Sequence, residues 1–128
     1  MRQIVVLFVV ILIGAGGNFV QAQTLKNTSW KFFVQQLNDS LTMRLGTDTS
    51  FTTSGAGELV IRANYQLIKD TLKIKDIDGQ YACPDGEGVY RFVIDGDKLN
   101  LFMITDPCNE RAGVFNGITM NRKPEVNK

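Results

Sequence analysis

The chain has no histidine, only two cysteines and a single tryptophan among its 128 residues. Without histidine, the commonest general base, the Ser-His and Cys-His nucleophile pairs and most catalytic zinc sites are excluded. We therefore expect a protein that is not an enzyme and that holds no metal and no cofactor.

An excess of charge of one sign is also lacking, since 14 Lys and Arg face 13 Asp and Glu. No cluster of Lys or Arg supplies the basic face that nucleic-acid binding requires. A nucleic-acid partner is therefore not expected.

The one long apolar run is too short to cross a membrane. It extends from Ile4 to Ile13, follows Arg2, and is succeeded by a glycine-rich break with small residues at Val20 and Ala22. A transmembrane helix needs about 20 apolar residues, whereas this pattern is typical of a secretory signal peptide. A single membrane anchor is the alternative, and cleavage after Ala22 is the better supported interpretation.

These features predict three segments of the chain. Residues 1–22 form the signal peptide, residues 23–123 form one β-barrel domain, and residues 124–128 form a polar C-terminal tail. The protein is then exported, to the periplasm or the extracellular space, and its mature form has no transmembrane segment.

Beyond the leader, no long stretch places apolar residues at helical spacing. Apolar and polar residues alternate in short runs instead, separated by turn-forming segments such as 46–48 and 95–97. A last run, from Gly113 to Arg122, is predicted as the final strand. Short connections favour antiparallel neighbours and closure removes unpaired edges. We predict an all-β, eight-stranded antiparallel up-and-down barrel, with a two-sheet β-sandwich as the alternative.

The two cysteines lie at the two ends of one predicted hairpin. Cys83 comes just before a strand and Cys108 just after the next, and the turn at 95–97 brings them together. No C-x-x-C pair or second pair exists to bind a metal or to act as a redox site. We predict a structural disulfide, worth roughly 3 to 3.5 kcal/mol by the chain-entropy model.

Several acidic residues invite a functional interpretation. The segment from Asp76 to Gly79 resembles a fragment of a calcium loop, but it lacks the further ligands, and we interpret it as an acidic turn. A second group is expected to gather beside the disulfide: Asp85, Glu87, Asp106, Glu110 and Arg111. In that group Arg111 is either a bidentate partner of Asp106 or a counter-charge for a ligand.

The C-terminal third resembles small exported bacterial lipocalin-like proteins of the calycin group. These have a CP...G.Y strand and then a D.L.L..I.DPC..R strand, matched here by Cys83-Pro84, Gly88, Tyr90, Asp97, Leu99, Leu101, Ile104, Asp106-Pro107-Cys108 and Arg111. A first-strand tryptophan, Trp30, adds to the likeness, although Thr28 stands where the lipocalin signature has glycine. The resemblance implies a ligand-binding barrel, with a terminal basic residue, Arg122, packed over Trp30.

Two functions follow as expectations. The first is binding of a small hydrophobic ligand in or at the mouth of the barrel, by Trp30, Phe32, Tyr65, Tyr90, Phe92, Met103 and Arg111. The second is a non-enzymatic cell-envelope interaction module or inhibitor, in which the same bulky side chains fill the barrel. Outward apolar residues would then form its binding surface, namely Phe33, Val93 and Phe102.

Overall fold

The computed structural model describes residues 25–124. The predicted signal peptide lies outside them, as does the predicted tail beyond Pro124. The strands are β1 (Thr28–Val34), β2 (Asp39–Leu45), β3 (Thr49–Thr53), β4 (Leu59–Ile68), β5 (Thr71–Asp78), β6 (Glu87–Asp95), β7 (Lys98–Thr105) and β8 (Thr119–Lys123). A 3-10 turn (Gln35–Leu37) follows β1, and helix α1 (Asn109–Phe115) lies between β7 and β8.

The strands form a closed barrel in chain order. Each pairs antiparallel with the next, and β8 returns to pair with β1. Alternation along each strand directs one row of side chains inward; along β1, for example, Trp30, Phe32 and Val34 are buried while Lys31 and Phe33 are exposed. The predicted up-and-down barrel is thus confirmed, and the sandwich alternative is wrong.

One end of the barrel is closed by tightly packed side chains. Trp30, Phe92 and Met120 are fully buried there, together with Leu25 from the segment that precedes β1. The register places Trp30 opposite Arg122, whose guanidinium carbon lies 4.5 Å from the centre of the indole ring. Arg122 therefore packs over Trp30, as the resemblance implied.

The predicted final strand from Gly113 to Arg122 is wrong in its first part. Gly113, Val114 and Phe115 belong to α1, and β8 begins at Thr119. The Cys108 Sγ caps this helix by accepting the Arg111 N–H. The two residues that α1 buries, Arg111 and Phe115, are four positions apart. A helix of seven residues with one charged buried position has too little apolar periodicity to be recognised.

Met103 is exposed, so it is not part of the packed interior. It is paired with the buried Tyr90 and therefore lies on the inward row of β7; the β6–β7 bulge comes beyond this pair, between Tyr90 and Val89. Its exposure follows from its position near the end of β7, since β8 pairs with β7 no further than Asn100 and no other described strand pairs with that edge.

Candidate functional site

A cavity of about 520 Å³ occupies the barrel end opposite Trp30. It lies where β1 and β5 end and β2 begins, and α1 and residues 80–82 form part of its rim. Most of its wall is apolar: Phe32, Val34, Leu41, Met43, Ile61, Ile74, Val114 and Phe115. Its volume falls within the range of pockets that enclose small molecules.

The Arg111 side chain lines this cavity and anchors α1 to the end of β7. Its Nε donates to Asp106 Oδ2 and its Nη2 to Asp106 Oδ1, both at 2.8 Å, and Nη2 also donates to the Gly86 carbonyl at 3.0 Å. Both side chains of the ion pair are buried. Of its two predicted roles, the bidentate partnership with Asp106 is therefore confirmed.

Asp106 is surrounded by donors. Besides Arg111, the Tyr90 hydroxyl donates to its Oδ2 and the Cys108 N–H to its Oδ1. Burial by itself would raise the pKa of Asp106, but the hydrogen bonds from Arg111, Tyr90 and Cys108 outweigh it and lower the pKa. Burial and the neighbouring carboxylate together raise the pKa of the Tyr90 hydroxyl.

A second buried carboxylate, Asp76, faces the free side of the guanidinium. Its Oδ2 accepts from the Cys83 N–H at 2.7 Å, while its Oδ1 lies 3.5 Å from Arg111 Nη1. Within the described part of the chain, Nη1 is buried and has no hydrogen-bond partner. Arg111 thus stands between two carboxylates, and this group carries one negative charge in excess.

A bulge separates the roles of Asp76 and Asp78. The β4–β5 register shifts between Arg62 and Ala63, so that Asp76 continues the inward row of β5 while Asp78 turns outward to pair with Arg62. Both aspartates belong to β5, so the prediction that this segment is an acidic turn is wrong. The alternation of β5 places Asp76 in the cavity wall, and the bulge turns Asp78 away from it.

Polar side chains also enter the wall from β3. Ser50 and Thr52 are both buried and both line the cavity. Like Arg111 Nη1, the Ser50 Oγ is buried and has no hydrogen-bond partner among residues 25–124. The mainly apolar cavity therefore has two buried polar atoms in its lining residues that are left without a partner.

Only two of the seven predicted site residues line this cavity, namely Phe32 and Arg111. Trp30, Phe92, Tyr65 and Tyr90 are inward and buried, but they lie outside the lining. The Tyr65 hydroxyl donates to the Gly46 carbonyl, and burial, with the nearby Asp48 charge, raises its pKa to about 12. Trp30 itself is not in the lining, although its cross-strand partner Met43 is.

Sequence reasoning missed Ser50, Thr52 and Asp76 as lining residues. Their inward direction could have been read from alternation: Ser50 and Thr52 follow the same parity along β3, and Asp76 follows Leu72 and Ile74. Polar residues at inward positions are the signal that could have identified them, because burying polar groups in a fully packed apolar interior costs free energy.

Of the five charged residues expected beside the disulfide, only Asp106 and Arg111 form a buried contact. Asp85, Glu87 and Glu110 are exposed, although Glu110 contributes to the cavity lining. The disulfide itself is confirmed: Cys83 and Cys108 are bonded, with their Cα atoms 6.3 Å apart. It ties the segment between β5 and β6 to the start of α1.

Comparison of the chain with known protein families, with curated proteins and with solved structures found no match. The eight-stranded barrel is consistent with a calycin-like fold. Among the described residues, no helix is long and apolar enough to cross a membrane.

Proposed function

We propose that this protein binds a small, mainly apolar molecule inside the open end of the barrel, without changing it chemically. The observation that carries this proposal is the cavity of about 520 Å³, whose wall is largely apolar and contains a few polar side chains. Binding sites for small molecules commonly have this combination of size and lining. A role without catalysis is supported by the lack of histidine in the whole sequence.

The interaction-module alternative is less well supported. It rested on a barrel filled by bulky side chains, and the cavity is the observation against that premise. Phe33 and Phe102 are indeed exposed, but scattered apolar residues are ordinary on protein surfaces.

We also propose that the protein acts outside the cytoplasm. Disulfides persist in oxidising compartments, and the bond between Cys83 and Cys108 fits such a location. The sequence of residues 1–22 supports the same proposal.

The test compares two neighbouring residues of β3 that point in opposite directions. Thr52 is buried and lines the cavity, whereas Thr53 is half-buried on the other face. Thr52→Phe places a ring in the cavity, and Thr53→Phe is the matched control. Binding is measured by isothermal titration calorimetry against a panel of small apolar alcohols, ketones, amines and acids, and thermal unfolding verifies that both variants fold.

We expect saturable binding of at least one panel member to the unmodified protein. Thr52→Phe should weaken this binding by about tenfold or more, and Thr53→Phe should leave it within about twofold. Lack of saturable binding by every panel member, or equal weakening by both variants, would overturn the proposal.

A further inference from the structure

Two polar side chains of the cavity wall, those of Ser50 and Asp76, lie at one level of the barrel. Ser50 of β3 and Asp76 of β5 are both paired with the same residue of β4, Ala63. Ala63 is fully buried and places only a methyl group between these two polar neighbours. Arg111 approaches Asp76 from α1.

Two atoms of this wall need hydrogen-bond partners. Arg111 Nη1 is a donor without an acceptor, and the Ser50 Oγ is both donor and acceptor without a partner, among the residues described. Buried polar groups are nearly always satisfied, since leaving one unpartnered costs free energy. A ligand oxygen atom can accept a hydrogen bond from Arg111 Nη1 or from the Ser50 hydroxyl.

The charges of the cavity wall limit which chemical group of the ligand can carry that oxygen. Asp106 already engages Arg111 with both oxygens, and Asp76 lies on the other side of the guanidinium. The side chains of Asp76 and Asp106 are almost completely buried, and Glu110 adds a further negative charge to the lining. A ligand carboxylate would enter a region of low dielectric constant that already has an excess of negative charge.

A cationic head group suits the excess negative charge of the wall but does not match the hydrogen-bonding need of Arg111 Nη1. An ammonium group donates hydrogen bonds but accepts none, so it would leave Nη1 unpartnered while lying close to the Arg111 charge. An uncharged oxygen satisfies the donor and adds no charge.

We propose, on the basis of the function proposed above, that the ligand has an apolar body with an uncharged hydrogen-bond acceptor, such as a hydroxyl or carbonyl oxygen. The cavity selects this class against carboxylic acids and amines of the same length. The residues that select it are Asp76, Ser50 and Arg111.

The test uses three probes that differ only in the head group: decanol, decanoic acid and decylamine. Calorimetric titrations are made at pH 7, where the acid and the amine are charged, and below the concentrations at which they form micelles. We expect decanol to bind about tenfold more tightly than either charged probe. If the acid or the amine binds as tightly as decanol, or if decanol fails to bind while another member of the panel binds, this inference is wrong while the proposed function stands; if neither these probes nor any panel member binds, both are wrong.

A pair of variants on β5 tests the role of Asp76. Asp76→Asn removes a buried charge and keeps an oxygen for the Cys83 N–H, and Asp78→Asn removes the same charge on the outer face. We expect Asp76→Asn to strengthen decanoic acid binding by about tenfold and to change decanol binding little. Asp78→Asn should change neither. The inference is contradicted if Asp76→Asn leaves the ratio of the decanoic acid and decanol affinities unchanged, or if Asp78→Asn changes that ratio equally.

Ser50→Ala provides a second test that does not alter the charge. It should weaken decanol binding several-fold, because the hydroxyl no longer supplies a partner, and should leave unfolding of the free protein nearly unchanged. Decanol binding that is insensitive to this change would remove Ser50 from the site.

Discussion

Arg111 and Asp106 form a buried, bidentate ion pair that joins α1 to the end of β7, with both hydrogen bonds at 2.8 Å. Removing the arginine alone leaves a buried carboxylate without its main partner. We expect Arg111→Met to lower the free energy of unfolding by about 3 to 5 kcal/mol, measured by urea denaturation.

The control for that measurement is the exposed pair between Arg62 and Asp78, which also has bidentate geometry. Its side chains are 42% and 56% exposed, so Arg62→Met should lower the free energy of unfolding far less than Arg111→Met does. Equal losses in the two variants would contradict the energetic importance assigned to burial.

Stability should fall in acid because of Asp106. Its pKa is lower in the folded protein than the value of about 3.9 for an unfolded chain. The native state therefore binds fewer protons, so the stabilisation is present above pH 4 and is lost as the pH falls through the folded pKa. Urea denaturation between pH 7 and pH 2 measures this loss.

Asp78 also has a lowered pKa, through its hydrogen bond with Arg62, but that pair is exposed and should be screened by salt. The acid-dependent loss due to Asp106 should persist in high salt and should shrink in Asp106→Asn. A free energy of unfolding that stays constant below pH 4 would contradict the stabilising role assigned to the ionised Asp106.

The disulfide should make a measurable contribution to stability. It closes a loop with a sequence separation of 25, for which the chain-entropy model gives about 3.5 kcal/mol. Replacing both Cys83 and Cys108 by alanine should lower the free energy of unfolding by that amount. Reducing agent should lower the stability of the unmodified protein similarly and leave the double variant unaffected.

Substitution by alanine should change the free energy of unfolding in opposite directions at two glycines. At Gly88, an added Cβ lies 2.6 Å from Asp106 Oδ2 and 3.0 Å from Tyr90 Cε1, so Gly88→Ala should destabilise by about 1 to 3 kcal/mol. At Gly113, in α1, an added Cβ meets nothing within 4 Å. Gly113→Ala should therefore stabilise by about 0.5 to 1 kcal/mol, through helix propensity. Thermal unfolding of both variants measures the difference.

Much of the fold was predictable because its signals are local. Alternation and turn residues identify strands, and a hairpin turn near Gly96 is enough to bring Cys83 and Cys108 together. Helix α1 was missed because it has only two turns and buries an arginine. Met103 follows the inward alternation and is paired with Tyr90, but it is exposed because β8 pairs with β7 no further than Asn100, which alternation does not reveal.

The site was predicted less well, for a related reason. Alternation tells which residues point inward but not how far along the barrel axis they lie. Trp30 and Phe32 are both inward on β1, yet only Phe32 lines the cavity. Large aromatic residues were favoured as site residues, whereas Ser50 and Asp76 supply the polar groups.

The sequence by itself determined the all-β architecture, the closed meander and the disulfide, because each depends on residue alternation or on neighbouring turns. Only the tertiary structure decided that one end of the barrel is packed and the other hollow, and that Arg111 lies between Asp106 and Asp76. These features depend on strand register, on bulges and on where a short helix packs. They bring together residues far apart in the chain, which no local pattern records.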